Sequence, residues 1–182
     1  MGDANEENVW VLRSRNGDPA AFELLIGAHQ RMIHSITFRM TGSLTDAEDL
    51  TQETFIRAFQ QLDSYRGEAR FSTWLCRIAV NLSLNWRARE SHRGDVHSKW
   101  AQDTITDTDS RDEFPDELSR CVQAALQRLP TKQRAALVLT VYENHSHAEA
   151  ARALHCTEAT ISWRVFAERR KLKSWLKSVP HE

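Results

Sequence analysis

Residues 45–93 read TDAEDLTQETFIRAFQQLDSYRGEARFSTWLCRIAVNLSLNWRARESHR. The stretch is an acid-led segment, an aromatic segment, a short break and a segment rich in Trp and Arg. Thr45-Asp46-Ala47-Glu48 has the spacing of a capping box, in which a hydroxyl and a carboxylate three residues apart satisfy each other's backbone N–H groups. Leu50, Phe55, Ile56, Phe59 and Leu62 follow at helical spacing and predict one inward face. Asp46, Glu48 and Asp49 fall in the first turn, where the helix dipole favours negative charge. Residues 63–71, DSYRGEARF, break the period, and Gly67 permits a turn. Ser72 is placed to cap a second helix with Trp74, Leu75, Ile78, Leu82 and Trp86 on one face, ending at Gly94. Arg77, Asn81, Asn85, Arg87 and Arg89 surround that face and carry the donors and acceptors that phosphates and base edges need. An acidic helix beside a basic one suggests two partners, a basic protein surface and a nucleic acid. The same residues also suit plain helix capping and a solvated face over a Trp core, and the pattern alone leaves both readings open.

Upstream, residues 1–17 are polar and predict a frayed start with at most a short turn near Val9–Arg13. Asp18-Pro19 is a helix start, with Asp as N-cap and Pro in the first turn. Phe22, Ile26, Ile33, Ile36 and Met40 recur on one face, and Gly42 ends the helix.

Downstream, the net charge of −1 over 182 residues hides a segregation. Acids dominate residues 95–117, with only Lys99 and Arg111 against them, whereas Lys and Arg dominate from Leu118 onward. Residues 95–114 are rich in Ser, Thr and Asp and predict a self-repelling linker, with Trp100 as its oddity. Leu118, Val122 and Leu126 mark a helix after Pro115. Pro130 interrupts it, and Thr131 is placed to cap the next helix, with Ala135, Leu137, Val138, Val141 and Tyr142. Ser146-His147-Ala148-Glu149 is a second capping box. A short helix to Leu154, a turn at His155-Cys156-Thr157 and a basic helix over residues 158–177 make a helix-turn-helix candidate. Ile161, Val165, Leu172 and Leu176 face inward. Thr160, Ser162, Trp163 and Arg164 lie within reach of base edges, and Arg169, Arg170, Lys171 and Lys173 suit phosphates.

Composition removes several classes. Apolar residues make up 41% of the chain, and no run has the apolar length to cross a bilayer. The acidic start MGDANEEN lacks a signal-peptide layout. A cytoplasmic protein without membrane insertion is the expectation. Cys76, Cys121 and Cys156 are odd in number and widely spaced, which predicts free thiols. His145, His147 and His155 lack the convergent partners of a metal centre, so neither metal nor cofactor is expected. No nucleophile elbow, phosphate-binding glycine loop or paired-carboxylate arrangement is present, and no enzyme is expected.

The runs Asp46–Phe55 (DAEDLTQETF), Phe71–Leu75 (FSTWL) and Arg77–Asn81 (RIAVN), followed by Leu129-Pro130 and the helix-turn-helix, resemble the extracytoplasmic-function sigma factors of bacteria. The resemblance spans residues 18–178 in the same order. It implies an all-α protein of two small helical domains joined by an acidic linker, the second a helix-turn-helix domain. The implied domains are residues 1–94, the linker 95–114, and residues 115–182. It further implies an alternative sigma subunit that binds core RNA polymerase, reads −10 and −35 promoter elements and starts transcription of a signal-responsive gene set, with an anti-sigma factor as a further partner. By the same resemblance, Asp46, Asp49, Gln52, Glu53 and Phe55 contact the core enzyme. Tyr65, Arg66, Arg70, Trp74, Arg77, Asn81, Asn85 and Arg87 face −10 DNA. Thr160, Ser162, Trp163, Arg164, Phe166, Arg169, Arg170 and Lys171 face −35 DNA. The acids of residues 103–117 would imitate RNA in a basic channel of the polymerase. The chain departs from the family pattern at His155 and Ala159, where Gly is frequent, at Trp163, where a small Ser is common, at Ala167, where Arg is common, and at Asn85, where Asp is frequent. Two other readings stand beside this one. An ordinary helix-turn-helix regulator would leave Asp46–Arg93 without purpose. A decoy that sequesters an anti-sigma factor would be expected to lose basic residues that this chain keeps.

Overall fold

The computed structural model describes the backbone of residues 4–97 and 117–176 and the side-chain surroundings of residues 6–91 and 119–175. The predicted acidic linker, with Trp100, falls almost wholly outside the described residues, as do the surroundings of Leu118 and Leu176. Among the described residues every regular element is helical: α1 (Ala4–Arg15), α2 (Pro19–Thr41), α3 (Leu44–Gln60), α4 (Phe71–His97), α5 (Glu117–Gln127), α6 (Thr131–Leu137), α7 (His147–Ala153) and α8 (Glu158–Leu176).

Local chemistry explains most of the boundaries. Asp18 caps α2, its carboxylate accepting from the Ala20 and Ala21 N–H groups, with Pro19 in the first turn. Gly42 closes α2 in the left-handed region at φ 80°, its N–H returning to the Phe38 carbonyl. Ser146 and Glu149 form the predicted capping box of α7. Thr157 caps α8, its hydroxyl accepting from the Thr160 N–H at 3.2 Å.

Five sequence expectations are corrected. The first segment is a full helix, α1, held by tertiary contact: Val11 is buried, Glu7 pairs with His29 of α2, and Arg13 pairs with Asp18 at 2.7 Å. Thr45 does not cap α3. Ser43 does, accepting from the Asp46 N–H at 3.3 Å, so the helix opens at Leu44 and only Asp46 of the three acids lies in its first turn. Ile56 and Phe59 are not inward; they are 51% and 54% exposed. α4 opens at Phe71, ahead of Ser72, and continues through Gly94 to His97. Thr131 is the first residue of α6 rather than its cap, and Pro130 supplies no side-chain acceptor. Past α6 the chain widens into one π-helical stretch, Val138–Tyr142.

α1–α4 enclose a core of Phe22, Leu25, Ile33, Ile36, Met40, Phe71, Leu75 and Val80, and α5–α8 enclose Leu126, Leu137, Leu139, Ile161 and Val165. The two helical groups pack directly on each other, α2 against α5 and α4 against α7. That seam was not expected from a linker-joined pair. The C-terminal turn of α2 presents carbonyls with acceptor capacity left over, Phe38 O already taking the Gly42 N–H, and the second group supplies side-chain donors to them. Gln123 Nε2 donates to Phe38 O at 2.9 Å, Gln127 Nε2 to Arg39 O at 3.1 Å, and the buried Arg134 to Met40 O. Gly42 matters twice here. Besides its positive φ, a Cβ on it would lie 2.9 Å from Gln127 Cδ.

Candidate nucleic-acid interface

The break between α3 and α4 is built from inside. Tyr65 is buried and packs edge-on against Phe71, its ring 5.4 Å away, and beside Trp74 at 5.5 Å. Its hydroxyl donates to the Ala69 carbonyl at 2.8 Å. Arg15 of α1 donates to the Leu62 and Tyr65 carbonyls and lies 5.9 Å from the Tyr65 ring centre. The loop is thereby held from below, and its outer side carries exposed Arg66 and Arg70.

Above that floor lies an open cavity of about 460 Å³. Tyr65 and Trp74 form its aromatic base, Arg66 and Arg77 its cationic rim, and Glu68 its one acid. Arg152 and Ala153 of α7 form its far wall. A second groove of about 870 Å³ runs between Leu84, Asn85, Arg87 and Ala88 of α4, Pro130–Gln133 of the second group, and Trp163 and Arg164 of α8. Of the expected −10 residues, Arg66, Arg70, Arg77 and Asn85 are therefore exposed, Asn81 and Arg87 are half-buried, and Tyr65 and Trp74 are buried supports.

α3 presents another surface. Asp49, Gln52, Ile56 and Phe59 are exposed along one stripe, with Glu53 half-exposed in an ion pair to Arg57 at 2.6 Å. Phe55 is buried and props the helix from within. Asp46 is engaged internally, accepting from the Trp86 indole N–H at 3.1 Å, which ties α3 to α4.

On α8, Ile161, Val165 and Glu168 point inward, while Ser162, Trp163, Phe166, Arg169, Arg170 and Lys173 form the outer stripe. Trp163 and Phe166 are 63% and 70% exposed. Ser162 Oγ lies 2.8 Å from His147 Nδ1, bridging the two helices of the turn motif. Arg164 is half-buried, its guanidinium 3.8 Å from Cys156 Sγ. Lys171 pairs at 2.9 Å with the fully buried Glu168. His155 sits in the left-handed region at φ 50°. That conformation is the physical reason glycine suits this turn.

The arrangement has cation-rimmed aromatic surfaces and a positioned helix-turn-helix. The described residues contain no group of three or more metal-ligating side chains. Comparison with known proteins decides the family. Residues 25–93 match Sigma-70 region 2, and residues 119–172 match Sigma-70, region 4. The chain is 32% identical to the RNA polymerase sigma-H factor of Pseudomonas aeruginosa, covering 97% of each chain. It is 31% identical to the ECF RNA polymerase sigma-E factor of Escherichia coli K12, covering 93% of each.

The chain belongs to the extracytoplasmic-function sigma factors.

It is accordingly a non-enzymatic transcription initiation factor, an alternative sigma subunit. Among solved structures, CnrH in complex with the cytosolic domain of CnrY is similar at TM-score 0.72, with 24% identity over 98% of this chain and all of that one. The sigma factor RpoE in complex with the anti-sigma factor NepR from Bartonella quintana is similar at TM-score 0.69, with 22% identity over 87% of this chain and 98% of that one. Both confirm the all-α, two-domain fold. No described helix is long and apolar enough to cross a membrane.

Sequence reasoning missed the residues of the seam between the sigma factor's two domains. Arg39 lies 4.4 Å from the Tyr142 ring centre. Ser35 donates to Glu143 at 3.2 Å, and Thr73 to Glu149 at 3.4 Å. Burial raises the Glu143 carboxyl above its usual range and lowers the His145 imidazole below its own. Burial likewise lowers the Arg134 guanidinium to about 10, which leaves it charged at neutral pH.

Proposed function

We propose that the first domain, residues 1–94, binds core RNA polymerase through the α3 stripe and −10 DNA through the loop cavity and α4, and that residues 115–182 read −35 DNA through α8. Asp49 and Glu53 offer acids and Gln52 an amide to a basic polymerase surface, with Asp46 and Phe55 holding α3 in place beneath them. Ile56 and Phe59 extend the same stripe and supply apolar area. Arg66, Arg70, Arg77, Asn81, Asn85 and Arg87 contact the promoter strands, while Tyr65 and Trp74 shape a cavity suited to an unstacked base. Thr160, Ser162, Trp163, Arg164, Phe166, Arg169, Arg170 and Lys171 serve the −35 element.

One observation carries this reading. The acidic stripe stands open on α3, while the exposed cations Arg66, Arg70 and Arg77 gather on a different surface around the aromatic-floored loop cavity. The function also sets a conformational requirement. Elements centred near −10 and −35 lie about 25 base pairs apart, on the order of 85 Å along B-DNA. Domains packed α4 against α7 cannot span that distance, so the seam must open when the factor engages a promoter. A closed factor is what an inhibitor would hold, and an anti-sigma factor, the partner class named for NepR, fits the exposed stripes of α3 and α8. Work of this kind places the protein in the cytoplasm.

Run-off transcription with purified core polymerase on genomic fragments tests the proposal. Discrete transcripts that require both core enzyme and this chain are expected. Sequence-specific DNA binding by the chain alone, with no stimulation of core polymerase, would instead indicate an ordinary helix-turn-helix regulator.

A further inference from the structure

The outer stripe of α8 mixes two chemistries. Ser162 can meet base edges and Arg169, Arg170 and Lys173 can grip phosphates, but Trp163 and Phe166 stand among them 63% and 70% exposed. A phenyl ring makes no conventional hydrogen bond. In the major groove the apolar group it can bury against is the C5-methyl of thymine. Trp163 and Phe166 are three residues apart, which places them about 4.5 Å apart along the helix axis and on one face. That spacing is close to one base-pair rise of about 3.4 Å. Both residues project from the first half of the recognition helix, the part that meets base edges in helix-turn-helix proteins. The inward positions Ile161, Val165 and Glu168 fix the rotation of α8, so the two rings cannot turn into the core to escape water.

From this we infer that Trp163 and Phe166 are specificity-determining residues that read thymine methyl groups on two neighbouring base pairs of the −35 element. The inference rests on the proposed −35 role of α8 and names the base chemistry that helix selects. Cations on the same stripe grip phosphates and carry little sequence information. The indole and phenyl rings therefore supply discrimination that Arg169 and Arg170 do not.

Deoxyuridine tests this, because it keeps every hydrogen-bonding group of thymidine and removes only the methyl. Run-off transcription first identifies a promoter for the holoenzyme. Duplexes with each −35 thymine replaced by deoxyuridine are then compared for holoenzyme affinity at one fixed salt concentration. Loss of about fourfold per methyl is expected at two adjacent base pairs. W163A and F166A should each become insensitive to the replacement at one of those pairs while still assembling with core enzyme. The inference is overturned if deoxyuridine changes nothing, if the −35 element has no thymine at two neighbouring pairs, or if both variants keep the full wild-type sensitivity. In the last case the exposed rings serve a protein partner instead. Failure of the unmodified template to give any transcript is a separate result, and it would remove the sigma-factor reading on which the inference stands.

Discussion

Arg134 of α6 donates to the carbonyl of Met40 in the last turn of α2, a contact made across the seam between the two domains and 94 residues along the chain. The same guanidinium donates to Gln127 O at 2.7 Å and Leu129 O at 3.2 Å. It therefore ties together the end of α2, the end of α5 and the turn into α6. A cation at a helix C-terminus also meets the negative end of the helix dipole.

Removing that side chain should leave several buried carbonyls without donors. R134A is expected to lose about 3 kcal/mol or more of stability, from unpaired polar groups at about 1–3 kcal/mol each. R134K should recover part of the loss, because an ammonium keeps the charge but lacks the planar fork. Denaturant melts of the full chain measure both. A loss under about 0.5 kcal/mol for R134A would mean the seam does not depend on this residue.

Gly42 gives a second, more specific test. G42A forces an alanine into the left-handed region, at a cost of about 1–2 kcal/mol. Its Cβ also meets the Gln127 side chain, which is held by the Arg39 carbonyl and so is not free to swing away. The pair G42A/Q127A should therefore be less destabilised than the sum of its two single changes. Strict additivity in a double-mutant cycle would show that the two residues do not press on each other.

These contacts explain what the sequence could and could not disclose. Asp18-Pro19, Gly42 and the Ser146–Glu149 box were legible because each acts on its own neighbours within four residues. The start of α3 was misread because Ser43 and Thr45 are both plausible hydroxyl caps two residues apart, and only the backbone shows which one accepts. α1 has no clear apolar period; its helix depends on Glu7, Val11 and Arg13 meeting α2, a tertiary cause. Ile56 and Phe59 have the residue type of a core and the exposure of an interface, a distinction that periodicity cannot draw. Gln123, Gln127 and Arg134 could not be found at all. Their acceptors are backbone carbonyls on α2, which carry no residue identity. Of the candidate site, the charged positions were legible by type and the inward turn of Phe55 and Trp74 by period, but the inward turn of Tyr65, in the loop, was not.

Charge reversal on α3 should separate polymerase binding from folding. Asp49 is exposed and Glu53 is half-exposed, so D49K/E53K is expected to leave the melting temperature within a few degrees of the parent. Affinity for core polymerase should fall by about tenfold or more, because like charges would then face each other across the contact. Co-purification and competition against the parent factor measure the loss. Unchanged holoenzyme assembly would remove the acidic stripe from the core contact.

The last prediction concerns pH. Burial lowers the His145 imidazole below its ordinary 6.5, and its buried Nδ1 has no hydrogen-bond partner. Glu143 and Glu149 lie on the same side of the seam, with Arg70 reaching it from the other domain. The unfolded chain takes up a proton at His145 more readily than the folded one does. Stability is therefore kept above about pH 6.5 and falls as pH drops through the window between that value and the lowered folded-state value. Glu143 works in the opposite sense. Its raised folded-state value favours the folded, protonated form at low pH, and that contribution is lost as pH climbs from 4.5 through the folded-state value. Single substitutions separate the two. H145Q should flatten the fall in melting temperature on acidification below pH 6.5, whereas E143Q should make that fall steeper at its acid end by removing the opposing gain. If H145Q and the parent lose stability in parallel over that window, the imidazole is not the group that titrates.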